Sequence, residues 1–135
     1  MSLKLPQVKK EKVEKKMSYN HFSLSEFASP DLPDSGVNMD SEFLTKLDNA
    51  RAIANIRFKI TSGYRTKEHN AKVGGVADSA HLSGHAADIA ATSGKERWTI
   101  VNALIRSGFN RIGIAKSFIH VDDDPSKPTN VIWTY

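Results

Sequence analysis

The chain has 135 residues, 39% of them hydrophobic and 25% charged, which suits one globular domain with its own core and leaves little room for a second. Its net charge of +4 belongs to residues 1–17, where six lysines face two glutamates. The remainder is neutral, so the folded part lacks the basic bias that tracks a phosphate backbone, and no nucleic-acid partner is expected. With no cysteine, disulfides and thiolate metal sites are excluded, and any metal must be held by imidazole and carboxylate. No apolar run approaches the about 20 residues of a membrane-spanning helix. The N-terminus is charged where a signal peptide would be apolar, so cytoplasmic synthesis without a signal peptide is expected. A monomer is expected, although nothing in the residues specifies oligomeric state.

In chain order, residues 1–18 read as a disordered Lys-rich arm and residues 19–135 as a single domain. His21 to Val37 carries Phe22, Leu24 and Phe27 and then Pro30, Pro33 and Gly36, which predicts a short helical turn followed by a loop. Asp40 to Phe58 is the first long helix. Phe43, Leu47, Ala50 and Ala54 form its apolar stripe, with Leu44 and Ile53 widening it, and Asp40 or Asn38 can cap it. Phe58 to Ser62 reads as a short strand, and Thr66 caps a brief helix ending at Gly74-Gly75. Ala86 to Ala91 is a strand of small residues. Ser93 opens a helix with Glu96 three residues on, a capping box, and Trp98, Val101, Leu104 and Ile105 give that helix an apolar face up to Gly108. Arg111–Ala115, Phe118–Asp122 and Val131–Tyr135 read as strands, the first two joined in a hairpin across Lys116-Ser117. The fold class is α+β, with an antiparallel sheet carrying functional side chains on one face and helices on the other.

Ser79-Ala-His-Leu-Ser-Gly-His-Ala-Ala-Asp88 and Phe118-Ile-His-Val-Asp122 carry the chemistry. Side chains alternate faces along a strand, so Ile119 and Val121 turn to the core while His120 and Asp122 face the other way together. By the same rule Ala86, Asp88 and Ala90 share a face, and the two alanines leave room beside the carboxylate. Gly84 lets the chain turn so that His81 can converge on Asp88. His81, Asp88 and His120 thus offer two nitrogens and one carboxylate oxygen, the protein half of a catalytic zinc site with an open fourth position. The cleft around them is expected to be small and lined by alanine, glycine and serine.

Further segments complete the pattern: Ser62-Gly-Tyr-Arg-Thr66, His69-Asn70, Val73-Gly-Gly75, Ser79-x-His81-Leu82-x-Gly84-x-Ala86-Ala87-Asp88-Ile89 and Ile119-His-Val-Asp122. Over residues 20–122 the chain resembles the zinc D-Ala-D-Ala carboxypeptidase family, which includes phage endolysin peptidases and shares its fold with the hedgehog signalling domain. Phe22-Ser-Leu-Ser-Glu-Phe-Ala28 resembles the opening of its short, phage-associated branch. The resemblance implies one Zn2+ per chain on His81, Asp88 and His120, with Arg65 holding a substrate carbonyl or the developing oxyanion. It makes Ser79 and Tyr64 substrate contacts, and peptidoglycan stem peptides with D-residues the substrate. It also implies a phage or prophage protein acting at the cell wall.

Several branches of that family place a glutamate three residues before the last histidine, or a second histidine two before it. Here those positions are Ser117 and Phe118, which can do neither job. Strand alternation makes Asp122 the candidate base; its other role would be to accept a ring N–H from a ligating histidine. Asp123 and Asp124 read as solvated turn residues, His85 as a rim residue and His69 as structural, while His21, Glu68 and Glu96 receive no site role. The missing glutamate leaves a second reading open, a zinc-binding, non-catalytic recognition module of the same fold. A nucleic-acid-binding reading would rest on the lysine tail alone.

Overall fold

The computed structural model describes residues 19–135; the expected arm at 1–18 lies outside the described residues. The ordered chain begins by anchoring on the first helix. The Asn20 and His21 amides donate to the Asp48 carboxylate, as does the His21 ring nitrogen at 3.0 Å, which gives His21 a role that its sequence position did not suggest. A 3-10 turn at Leu24–Phe27 follows, and Phe22 and Phe27 pack edge to face inside the core.

Helix α1 spans Ser41–Ala54, with Asp40 rather than Asn38 capping it by accepting from the Phe43 amide at 2.9 Å. Phe43, Leu44, Leu47 and Ala50 are buried as the periodicity requires, but Ile53 lies toward solvent at 38% exposure. The helix also stops four residues before the predicted Phe58. Asn55 takes a left-handed conformation (φ 54°, ψ 33°), which asparagine tolerates and which ends a helix. The turn drops Phe58 into the core, a contribution of about 1.5–3 kcal/mol for a fully buried aromatic side chain. Strand β1 is accordingly only Ile60–Ser62.

Thr66 caps the short helix α2, Lys67–Lys72, through the His69 amide at 3.0 Å. A 3-10 turn at Ala80–Ser83 leads into β2, Ala86–Ala90. Gly84 between them has φ +77°, and a Cβ there would sit 2.2 Å from the Asn38 carbonyl oxygen, so both the turn and the close approach exclude a side chain. The Gly84 carbonyl accepts from the Asp40 amide and the His85 carbonyl from the Asp123 amide, which fixes this turn between α1 and the end of the sheet.

Helix α3, Gly94–Arg106, is capped by Ser93, which accepts from the Glu96 amide; the Glu96 carboxylate reaches back to the Thr92 amide, one residue further than a capping box requires. Its buried face is Ile100, Ala103 and Leu104, not the predicted Trp98 and Ile105. Trp98 sits about 200° around the helix from Ile100 and is 71% exposed, because α3 docks against α1 and the sheet through the narrower stripe.

The sheet order is β1-β2-β4-β3-β5, with β3 at Arg111–Ile114, β4 at Phe118–Asp122 and β5 at Val131–Thr134. The β3–β4 hairpin closes at Lys116-Ser117 as expected, with Ala115 N–H donating to the Phe118 carbonyl. The expectation of a wholly antiparallel sheet is corrected: β5 runs parallel to β3. Both sides of β4 are already occupied, by β2 and β3. Residues 123–130 therefore carry the chain past the start of β3 to its free edge, where it runs in the direction of β3. Ala87, Ile89, Ile112, Ile119 and Val121 turn one face of the sheet to α1 and α3, and this forms the core. The opposite face carries the polar groups.

Candidate metal centre

Register places the key residues in one row. Ser62 pairs with Asp88, Asp88 with His120, His120 with Gly113, and Gly113 with Trp133, so the row crosses all five strands. The period-two rule holds: Ile119 and Val121 are in the core, while His120 and Asp122 line a cleft on the other face. His81 comes from the 3-10 turn above, so a loop and two central strands supply the three expected ligands.

All three are buried, and a nitrogen or oxygen atom of each lies within 4.8 Å of the others. His81 Nε2 is 3.3 Å and His120 Nδ1 2.9 Å from Asp88 Oδ1. Ligand atoms of a tetrahedral zinc, about 2.0–2.1 Å from the ion, stand roughly 3.3–3.4 Å apart, so these two spacings need an adjustment of only a few tenths of an ångström. The tautomers fit as well. His81 Nδ1 donates to the Gly63 carbonyl at 2.7 Å, and His120 Nε2 to Asp122 Oδ2 at 2.7 Å. A carbonyl or carboxylate can only accept, so each ring keeps its other nitrogen for the point that both share with Asp88.

Burial by itself would push the Asp88 carboxyl up, but the two imidazoles outweigh it and hold the group well below the usual carboxylate range. Burial would lower His120; the Asp122 and Asp88 carboxylates outweigh that and raise it. The His120 ring and the Asp88 and Asp122 carboxylates thus favour one another's charged forms.

Asp122 is fully engaged. Its Oδ2 accepts from His120, and its Oδ1 accepts from Arg111 Nε at 2.6 Å and from the Asp124 amide. Burial opposes ionisation here too, and the His120 and Arg111 contacts overcome it. Arg111 is itself buried, donates to the Pro128 carbonyl, and lies 5.0 Å from the Trp133 ring centre. Sequence inspection passed over Arg111. Its only signal was an arginine inside an apolar strand, which a buried anion must neutralise.

Arg65 lines the cleft, and its guanidinium is held in place. Nε donates to Ser62 Oγ at 3.0 Å, Nη1 to Asn70 Oδ1 at 3.1 Å, and Nη2 is 3.5 Å from Asp88 Oδ2. Asn70 is buried and also donates to the Val76 carbonyl, so it ties Arg65 to the 73–79 loop. Ser79 lines the cleft and caps the turn that presents His81. Tyr64, expected as a substrate contact, packs against the hydrophobic core instead and does not line the cleft.

His85 lies outside the cleft, bonded to Asp123 at 2.7 Å, and Asp123 also pairs with Lys46. Asp124 binds Lys127, whose ammonium also donates to the Asp78 carbonyl. Asp123 and Asp124 are therefore latched rather than freely solvated turn residues. Burial opposes ionisation, but the Lys127 and Ser126 contacts together outweigh it and hold the Asp124 carboxyl down to about 2, against an ordinary 3.8. A depressed carboxylate contributes stability that is complete above 3.8 and is lost as pH falls toward about 2. Lys127→Met is expected to return the Asp124 titration toward 3.8, as read by carboxyl NMR chemical shifts.

The cleft is richer than the expected alanine, glycine and serine. Val73, Val76, Phe118, Trp133 and Tyr135 line it as well. The family model for Peptidase M15 matches residues 20–122. The chain belongs to this family, a metallopeptidase family, and the site residues His81, Asp88 and His120 lie within the matched span. No curated protein matches the chain.

Proposed function

We propose that this protein is a zinc-dependent peptidase that hydrolyses a peptide bond at D-residues in peptidoglycan stem peptides, as a phage or prophage protein acting at the cell wall. The observation that carries the reading is the convergence of His81 Nε2, Asp88 Oδ1 and His120 Nδ1, with the other nitrogen of each ring committed to an acceptor outside the shared point. Zinc on these three groups would supply a Lewis acid and an activated water at neutral pH. Arg65 offers a permanent charge on a rigid fork beside Asp88, suited to an oxygen that becomes negative. Ser79 offers a hydroxyl on the same wall. Asp122 is assigned as the group that orients His120, because both its oxygens are already engaged.

That engagement also favours the second reading, a zinc-binding module without turnover, since Asp88 and Asp122 are the only carboxylate side chains lining the cleft among the described residues. Digestion of purified muropeptides decides between them. With zinc supplied, mass analysis is expected to show new stem-peptide fragments that disappear with a chelator. Intact muropeptides under zinc-replete conditions overturn the peptidase reading on this substrate.

A further inference from the structure

Residues 73–78 form a largely exposed loop that supplies Val73, Gly74, Gly75 and Val76 to the cleft. Its own bonds are short-range. The Gly74 and Gly75 amides donate to the Ala71 and Asn70 carbonyls, and the Ser79 amide donates to the Val76 carbonyl. A loop with so few buried contacts opens readily unless a group from elsewhere holds it. Among the described residues, one hydrogen bond joins it to a distant part of the chain: Lys127 Nζ donates to the Asp78 carbonyl at 2.6 Å.

The same ammonium donates to Asp124 Oδ2 at 2.6 Å. Asp124 is fixed in turn. Its amide donates to Asp122 Oδ1, and its own Oδ1 accepts from the Ser126 amide and hydroxyl. A lysine ammonium has three donors, so it serves both oxygens at once. Both bonds carry its charge, which makes them stronger than bonds between neutral groups. Lys127 lines the cleft but lies after β4, outside the span matched to the family.

What rests on the loop is Arg65. A Cβ at Gly75 would run into Asn70 Oδ1 and stand 2.9 Å from Arg65 Nη1, so the bare backbone of Gly75 lies against both groups. Asn70 accepts from Arg65 Nη1 and donates to the Val76 carbonyl. Movement of the loop therefore moves the support of Nη1, while Nε stays on Ser62 in β1. Held only at Nε, the fork is free to turn Nη2 away from Asp88, which it now meets at 3.5 Å.

We propose that Lys127 is a positioning residue: by latching the Asp78 carbonyl to Asp124, it holds the 73–78 loop in place and so fixes Arg65 beside the candidate metal ligands. The latch stands on these contacts; its effect on turnover rests on the peptidase reading above.

The test compares full-length wild type, Lys127→Met and Lys127→Arg by amide hydrogen exchange and by NMR of the arginine Nε–H groups. Methionine keeps a long unbranched stem without a donor, and arginine keeps the charge and the donors. In Lys127→Met the Gly75 and Ser79 amides are expected to exchange about tenfold faster, the scale of one lost hydrogen bond to a charged group. Amides of β3 and β4 are expected to stay as they are. The Arg65 Nε–H signal, identified by its absence in Arg65→Lys, is expected to exchange faster as well, and Lys127→Arg to recover both. Unchanged loop exchange overturns the latch. So does an acceleration spread equally over β3 and β4, which marks general loosening, or an arginine variant that recovers neither signal. A faster loop with an unaltered Arg65 signal overturns the positioning role.

With zinc and muropeptides, kcat of Lys127→Met is expected to fall about tenfold at unchanged zinc affinity, because a guanidinium displaced by about an ångström stabilises an oxyanion poorly. An unchanged kcat in a protein that cleaves overturns the positioning role. If wild type cleaves none of the muropeptides, the peptidase reading fails by itself, and amide exchange and the Arg65 signal still decide the latch.

Discussion

Asp88→Asn is expected to lower zinc affinity by more than a hundredfold and to remove hydrolysis with it. The carboxylate sits between two imidazoles and beside Arg65, and it is the only negative charge at the shared point. Substitutions of groups that merely orient a ligand already cost about 10–100-fold in affinity, so loss of a charged ligand costs more. The amide keeps the shape but neither offsets the ion's charge nor offers two acceptor oxygens. Elemental analysis and a competitive zinc titration check the result; wild-type affinity in this variant would remove Asp88 from the ligand set. The same change alters acid stability. The wild-type carboxyl is held below its ordinary value of 3.8, so its contribution to folding is present above that pH and fades as pH falls through the folded-state value. The metal-free variant is therefore expected to be less stable than metal-free wild type near neutrality, with the difference shrinking in acid.

Asp122→Asn separates the two roles that the strand pattern allowed. Bonded to both His120 and Arg111, Asp122 is expected to act by fixing the His120 tautomer. Zinc affinity should fall about 10–100-fold, and hydrolysis should recover substantially when zinc is raised to saturation. If Asp122 were instead the base, zinc would be retained and kcat would fall by about 10²–10⁴-fold at every zinc concentration. Measuring kcat as a function of free zinc distinguishes the two outcomes. The buried Arg111 charge is left facing an uncharged amide, so a loss of thermal stability is expected beside the kinetic effect.

Much of this site was legible in advance because its grammar is local. Period two along Phe118–Asp122 put His120 and Asp122 on one face and Ile119 and Val121 in the core. Asp40, Thr66 and Ser93 were readable as helix caps because each lies beside the amides it serves. Where local rules failed, a distant contact had won. Trp98 and Ile105 fitted an apolar helix face, but the shape of the surface facing α3 selected Ile100, Ala103 and Leu104. The helix through Phe58 was periodic enough to continue, and a left-handed Asn55 ended it to bury Phe58 in the core. Tyr64 looked like a companion of Arg65, yet neighbouring residues of an extended segment point apart, one toward the core and one into the cleft.

The residues alone determined the candidate ligand types, the face Asp88 and His120 would occupy and the exclusion of thiolates, because side-chain chemistry and strand alternation act within a few positions. Tertiary structure decided what surrounds those candidate ligands. Only the placement of β5 against β3, eight residues after β4 ends, brings Trp133 and Tyr135 over Gly113 and beside His120. The β3–β4 pairing puts Arg111 against Asp122. Which strand adds to which edge depends on the free edges that the rest of the sheet leaves, a property of the assembled fold that no local pattern encodes.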